Sequence, residues 1–200
     1  MRRILTLAIL IAAGASAGRL SAQALGLPLY NAPVQPFHRS ELGGYLSFPS
    51  PGGTAFMGQY RMGAGSFDVG FDAAILTENG TSVFGIGAEG RGTVLRHSAD
   101  FPLDGAVIVG IGGDFASGTS VLVIPIGFSL GRALVPQGST ITITPYVQPT
   151  LFILAGNGAS TTNFGLGLGA DFKFTPRFGA RFSAGLGDQD GVTIGGVWIH

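Results

Sequence analysis

The stretch Thr161–Gly187, TTNFGLGLGADFKFTPRFGARFSAGLG, decides the fold. Phe164, Leu166, Leu168, Ala170, Phe172 and Phe174 alternate with Gly165, Gly167, Gly169, Asp171 and Lys173. After Thr175-Pro176 the alternation resumes, with Phe178, Ala180, Phe182, Ala184 and Leu186 set against Gly179, Arg181, Ser183 and Gly185. Successive side chains of a strand point to opposite faces, so a period of two predicts two strands joined by a tight turn. One face of this hairpin is wholly apolar, while the other carries the glycines and the charges of both strands. That is the pattern of a membrane-spanning barrel, with lipid on one side and a narrow polar lumen on the other.

The same alternation extends outward from the hairpin. Phe67, Val69, Phe71, Ala73 and Ile75 oppose Asp68, Gly70 and Asp72; Phe84, Ile86 and Ala88 oppose Gly85, Gly87, Glu89 and Arg91. Ile141, Ile143, Val147, Leu151 and Ile153 oppose Thr140, Thr142, Thr144, Tyr146, Gln148 and Thr150. Residues 119–132 are less regular, because Val121 and Val123 fall on the side of Ser129. Ten strands are predicted, at 41–48, 54–62, 65–76, 82–95, 104–115, 119–132, 138–154, 161–174, 177–187 and 191–199. The intervening segments are rich in the residues that turns require. Eight strands is the rival count, with the first hairpin (41–62) merged or lying aside. Hydrocarbon tolerates no open sheet edge. Residues 41–200 are therefore read as an all-β, closed antiparallel up-and-down transmembrane barrel of about eight to ten strands.

The N-terminus reads differently. Arg2 and Arg3 precede the short apolar run Ile4–Ala13 and then small residues, the order of a secretory signal peptide. Cleavage is expected after Ala24, at Ala22-Gln23-Ala24, with Ala15-Ser16-Ala17 as the competing site. Residues 1–24 are thus assigned to a signal peptide. Residues 25–40, with Pro28, Pro33 and Pro36, form an irregular lead-in. Composition agrees with a lipid-facing wall. The 200 residues include 35 glycines and only 11% charged residues, against roughly 25% in soluble domains. A soluble lipocalin-like barrel that binds an apolar ligand is the alternative, but its solvent face would be mostly Gly, Ala and Thr. The net charge of zero gives nucleic acid no electrostatic footing. The absence of cysteine removes disulfides and thiolate chemistry.

The signal peptide, the Gly-rich alternating strands and the hairpin DFKFTPRFGARFSAGLG resemble the small bacterial outer-membrane β-barrel family, the OmpA-like and OmpX-like porin-fold proteins. The resemblance spans residues 41–200 and is one of pattern. It implies the outer membrane of a double-membraned (Gram-negative) bacterium, outer-membrane lipid as surroundings and the barrel-assembly machinery as a partner in biogenesis. Such proteins usually end on an aromatic residue that this machinery reads; here Trp198 precedes Ile199 and His200.

No motif points to catalysis. Gly85-Ile86-Gly87-Ala88-Glu89-Gly90 matches G-x-G-x-x-G, but a dinucleotide site needs a helix opening on it, and here the glycines sit inside a predicted strand. Asn79-Gly80 reads as a hairpin turn. The three histidines, His38, His97 and His200, are predicted near the periplasmic end. An enzyme acting on outer-leaflet lipid needs its nucleophile at the opposite rim. Neither an enzyme, a cofactor nor a metal site is expected.

The informative set is the charge predicted to face the lumen: Arg61, Asp68, Asp72, Glu89, Arg91, Asp171, Lys173 and Arg181, with Glu41 and Asp114. Strand direction places all but Asp114 toward the periplasmic end. Charges in a narrow lumen must pair, and in a barrel this small side chains nearly fill the interior. The expected function is a structural or surface-interaction role with a lumen plugged by charge. The alternative is a narrow channel for small solutes. Phe174, Phe178 and Trp198 are expected in an aromatic girdle at the periplasmic interface.

Overall fold

The computed structural model describes residues 27–33, 39–156 and 158–200. The expected signal peptide, both its cleavage sites and His38 lie outside the described residues. Ten strands follow in chain order: β1 (Ser40–Pro49), β2 (Thr54–Ala64), β3 (Phe67–Glu78), β4 (Thr81–Leu95), β5 (Asp104–Ala116), β6 (Thr119–Gly131), β7 (Thr142–Gly156), β8 (Ala159–Lys173), β9 (Phe178–Gly187) and β10 (Gly191–Ile199). Each pairs antiparallel with its sequence neighbours, and β1 pairs with β10 to close the barrel. The first hairpin is an integral part of the wall, with Glu41 opposite Ile199 on one side and Arg61 on the other. Ten is therefore the strand count.

Local chemistry sets the turns. Asn79 and Gly80 both have positive φ, 48° and 79°, as the type I′ turn between β3 and β4 requires. The predicted strand 138–154 begins later, at Thr142, because Pro136 to Ser139 form a turn closed by the Ser139 N–H donating to the Pro136 carbonyl. Both chain ends of the wall, Ser40 and His200, lie at one end of the barrel and are joined by backbone hydrogen bonds. We call this the terminal end, and the opposite one the far end.

Outside and inside differ in kind. No outward position of the ten strands carries a charged residue, and every charged residue within the strands follows the inward alternation. Phe56, Phe71, Ile75, Ile111, Leu122, Phe164 and Phe182 are exposed on the outer surface, Phe56 at 70%. Leu166 and Phe172 share that outward alternation and are half-buried among their neighbours. Water would solvate this apolar wall poorly, whereas lipid tails match it.

Candidate functional site

The lumen holds many buried side chains. Its largest fully buried side chains include Arg61 and Arg91, and burying such groups is tolerable only when they are paired and hydrogen-bonded. Arg61 and Arg91 clamp Asp68 from two sides. Arg61 donates to one carboxylate oxygen of Asp68 and, at 2.8 Å, to Glu89 Oε1. Arg91 donates to the other oxygen through Nε at 2.9 Å and Nη2 at 2.6 Å. The three residues are no more than 2% exposed. Period-two facing brings them together, since Asp68 stands opposite Arg91 in register and Glu89 opposite Gly70. Gly70 matters for its lack of a Cβ: Arg61 Nη1 would lie only 2.7 Å from one.

A second group centres on Arg181. Its guanidinium makes a bidentate pair with Asp171 on the neighbouring strand, at 2.9 and 2.8 Å, and lies 3.7 Å from Glu41. It also donates to the Tyr45 hydroxyl at 3.0 Å and to Gln59 Oε1 at 3.2 Å. Asp72 accepts from Gln59 Nε2 at 2.8 Å, which ties it to the Arg181 group through that amide. Lys173 does not join them. It ends β8 half-exposed beside Thr142, Phe174 and Thr175 at the terminal rim, and among the described residues it makes no ion pair. Asp114 is buried alone on the far half of β5, with Oδ2 unpartnered among the described residues.

The irregular lead-in contributes what sequence reasoning missed. Residues 27–33 form no strand, yet all of them are buried, and they lie within the lumen. Pro28 packs beside Gly185 and Gly191 near the far end, while Pro33 approaches Gly131 at the terminal end of β6. Between them Asn31 sits among the charges, its Nδ2 donating to Glu89 at 3.1 Å and its Oδ1 accepting from Arg181 at 3.0 Å. The available signal was composition. Leu27, Leu29 and Tyr30 are apolar bulk, and a segment with that content needs somewhere dry to go.

The wall is shaped for this segment. The Tyr30 ring lies against Gly167, where any Cβ would collide with it, and the Tyr146 ring fills the space over Gly169 in the same way. The glycine alternation of β8 is therefore a row of slots for aromatic rings.

At the terminal end, Trp198 stands opposite Phe178, and the Phe174 N–H donates to the Phe178 carbonyl; all three rings are exposed outward. Trp198 also stacks on His200 at 4.7 Å. His97 lies in the β4–β5 connection and pairs with Asp104 at 3.0 Å.

No family profile matches the chain, and no curated protein matches it. Solved structures do resemble it. The β domain of the Bordetella autotransporter BrkA matches with a TM-score of 0.51 at 10% identity, over 80% of this chain and 98% of that one. A de novo designed transmembrane β-barrel matches with a TM-score of 0.41 at 14% identity, over 83% of this chain and 98% of that one. At these identities the likeness is one of fold, and the fold is a closed ten-stranded membrane β-barrel with an uncharged outer wall.

Proposed function

We propose that this chain is an outer-membrane β-barrel of a double-membraned bacterium, akin to the small OmpA-like and OmpX-like proteins. Its role is structural or surface-interacting and non-enzymatic, with a lumen sealed at rest. One observation carries the reading: the buried arginine–carboxylate network and the inserted segment 27–33 occupy the same cross-section of a narrow barrel, joined by Asn31. The uncharged outer wall supports lipid as its surroundings, and the short far-end turns disfavour an adhesin with long binding loops. Insertion by the barrel-assembly machinery belongs to the same reading.

Planar-bilayer recording on the purified chain tests the seal. A closed baseline is expected. A steady conductance would instead make the protein a narrow channel for small solutes, and extraction from membranes without detergent would make it a soluble barrel.

A further inference from the structure

Segment 27–33 is held in the way a bound peptide is held. Its backbone carbonyls accept hydrogen bonds from side chains of four different strands: Pro28 from Ser183 at 2.7 Å, Tyr30 from Tyr146 at 2.7 Å, Asn31 from Ser129 at 2.8 Å, and Ala32 from Arg91. The Asn31 N–H donates to Gln148 Oε1 at 3.0 Å. Pro28 and Pro33 bring no N–H into the lumen that would need a partner there. Side-chain recognition is confined to a few places. Tyr30 enters the slot over Gly167, Asn31 is read at both ends of its amide by Glu89 and Arg181, and Leu27 and Leu29 join an apolar cluster with Met57 and Ala74. None of these wall groups is a strand-ladder partner of the segment, so the barrel closes on itself without it.

We propose that the lumen is a binding site for an extended peptide, with Leu27–Pro33 as its tethered resident ligand. The site takes a proline-flanked segment that presents backbone carbonyls, one tyrosine and one asparagine. A free peptide of that chemistry can occupy it when the resident segment is gone. The inference rests on the reading of a lumen sealed at rest and assigns the seal to a removable occupant.

The test uses the chain with residues 27–33 deleted, its folding verified by resistance to detergent unfolding before heating. The probe is a synthetic peptide of residues 27–33. The deletion variant should conduct where the unaltered chain does not, and the peptide should block that current saturably. A peptide carrying Asn31→Ala loses hydrogen bonds to two charged groups and should need at least about tenfold more for the same block. A folded deletion variant that stays closed overturns the proposal. So does an open one that the peptide does not block, or that both peptides block equally. Should the deletion variant not fold, Asn31→Ala in the full chain should show brief openings that added peptide suppresses, and their absence also overturns the proposal. A steady current through the unaltered chain overturns the sealed reading on its own, and peptide block of the deletion variant still decides the binding site.

Discussion

The two halves of the lumen are built by the same ten strands and filled by different physics. Toward the terminal end the wall is charged, and Arg61, Arg91 and Arg181 are locked by carboxylates one or two strands away along the wall. Toward the far end the filling is largely apolar. Val123, Phe152 and Leu154 cluster on one side, and Ala55, Met57 and Ala74 cluster with Leu27 and Leu29 on the other. Polar groups there are fewer: Ser47 and Thr193 satisfy each other at 2.7 Å, while Asp114 Oδ2 and the Gln189 amide have no partner among the described residues. The charged half demands specific partners, because a guanidinium without its carboxylate is costly when buried. The apolar half demands volume alone, so its side chains are interchangeable with others of similar size.

That contrast breaks most visibly at Asp68. Asp68→Asn keeps the shape of the side chain but removes the charge between two arginines. It should cost on the order of 3–5 kcal/mol, read as a lower urea unfolding midpoint of the inserted protein. A shift within experimental scatter would mean that the charged half is no more specific than the apolar one. A cycle at Arg181 and Asp171 is the next largest. Arg181→Ala and Asp171→Ala together should cost less than the sum of the two, by about 0.5–3 kcal/mol of coupling; simple additivity would show that the bidentate pair contributes nothing as a pair. The smallest effect belongs to the apolar half, where Leu154→Met should cost less than about 1.5 kcal/mol. A loss as large as that of Asp68→Asn would erase the distinction.

Much of the wall was legible because a strand encodes its facing in every second residue. Phe164, Phe182 and Leu122 face outward for that reason, and the alternation that begins at Glu41 is why the first hairpin belongs to the barrel. Even the irregular positions Val121 and Val123 follow the rule, since they line the apolar half of the lumen together with Phe152 and Leu154. Period two gives a residue's face and says nothing of its partner across the barrel. Arg181 is inward by alternation, but its contacts with Tyr45 and Gln59 span 136 and 122 residues of sequence and depend on how the sheet curls shut. Lys173 has the inward alternation too, yet it is the last residue of its strand, and at a strand end a long flexible cation reaches solvent rather than staying in the network. The inserted segment was illegible for another reason. Its order comes from the lumen wall, not from any repeat of its own, and prolines 28 and 33 read locally as a loop.

The chain contains a single tryptophan, and Trp198 lies on the outer surface at the terminal end, opposite Phe178. Its fluorescence therefore reports on the central claim, a barrel turned apolar side out to lipid with its charged half near one interface. With the protein in bilayers carrying quenchers at known depths, shallow probes should quench Trp198 strongly and bilayer-centre probes weakly. Equal quenching at all depths, or none from any lipid probe, would contradict the placement of this wall in a membrane.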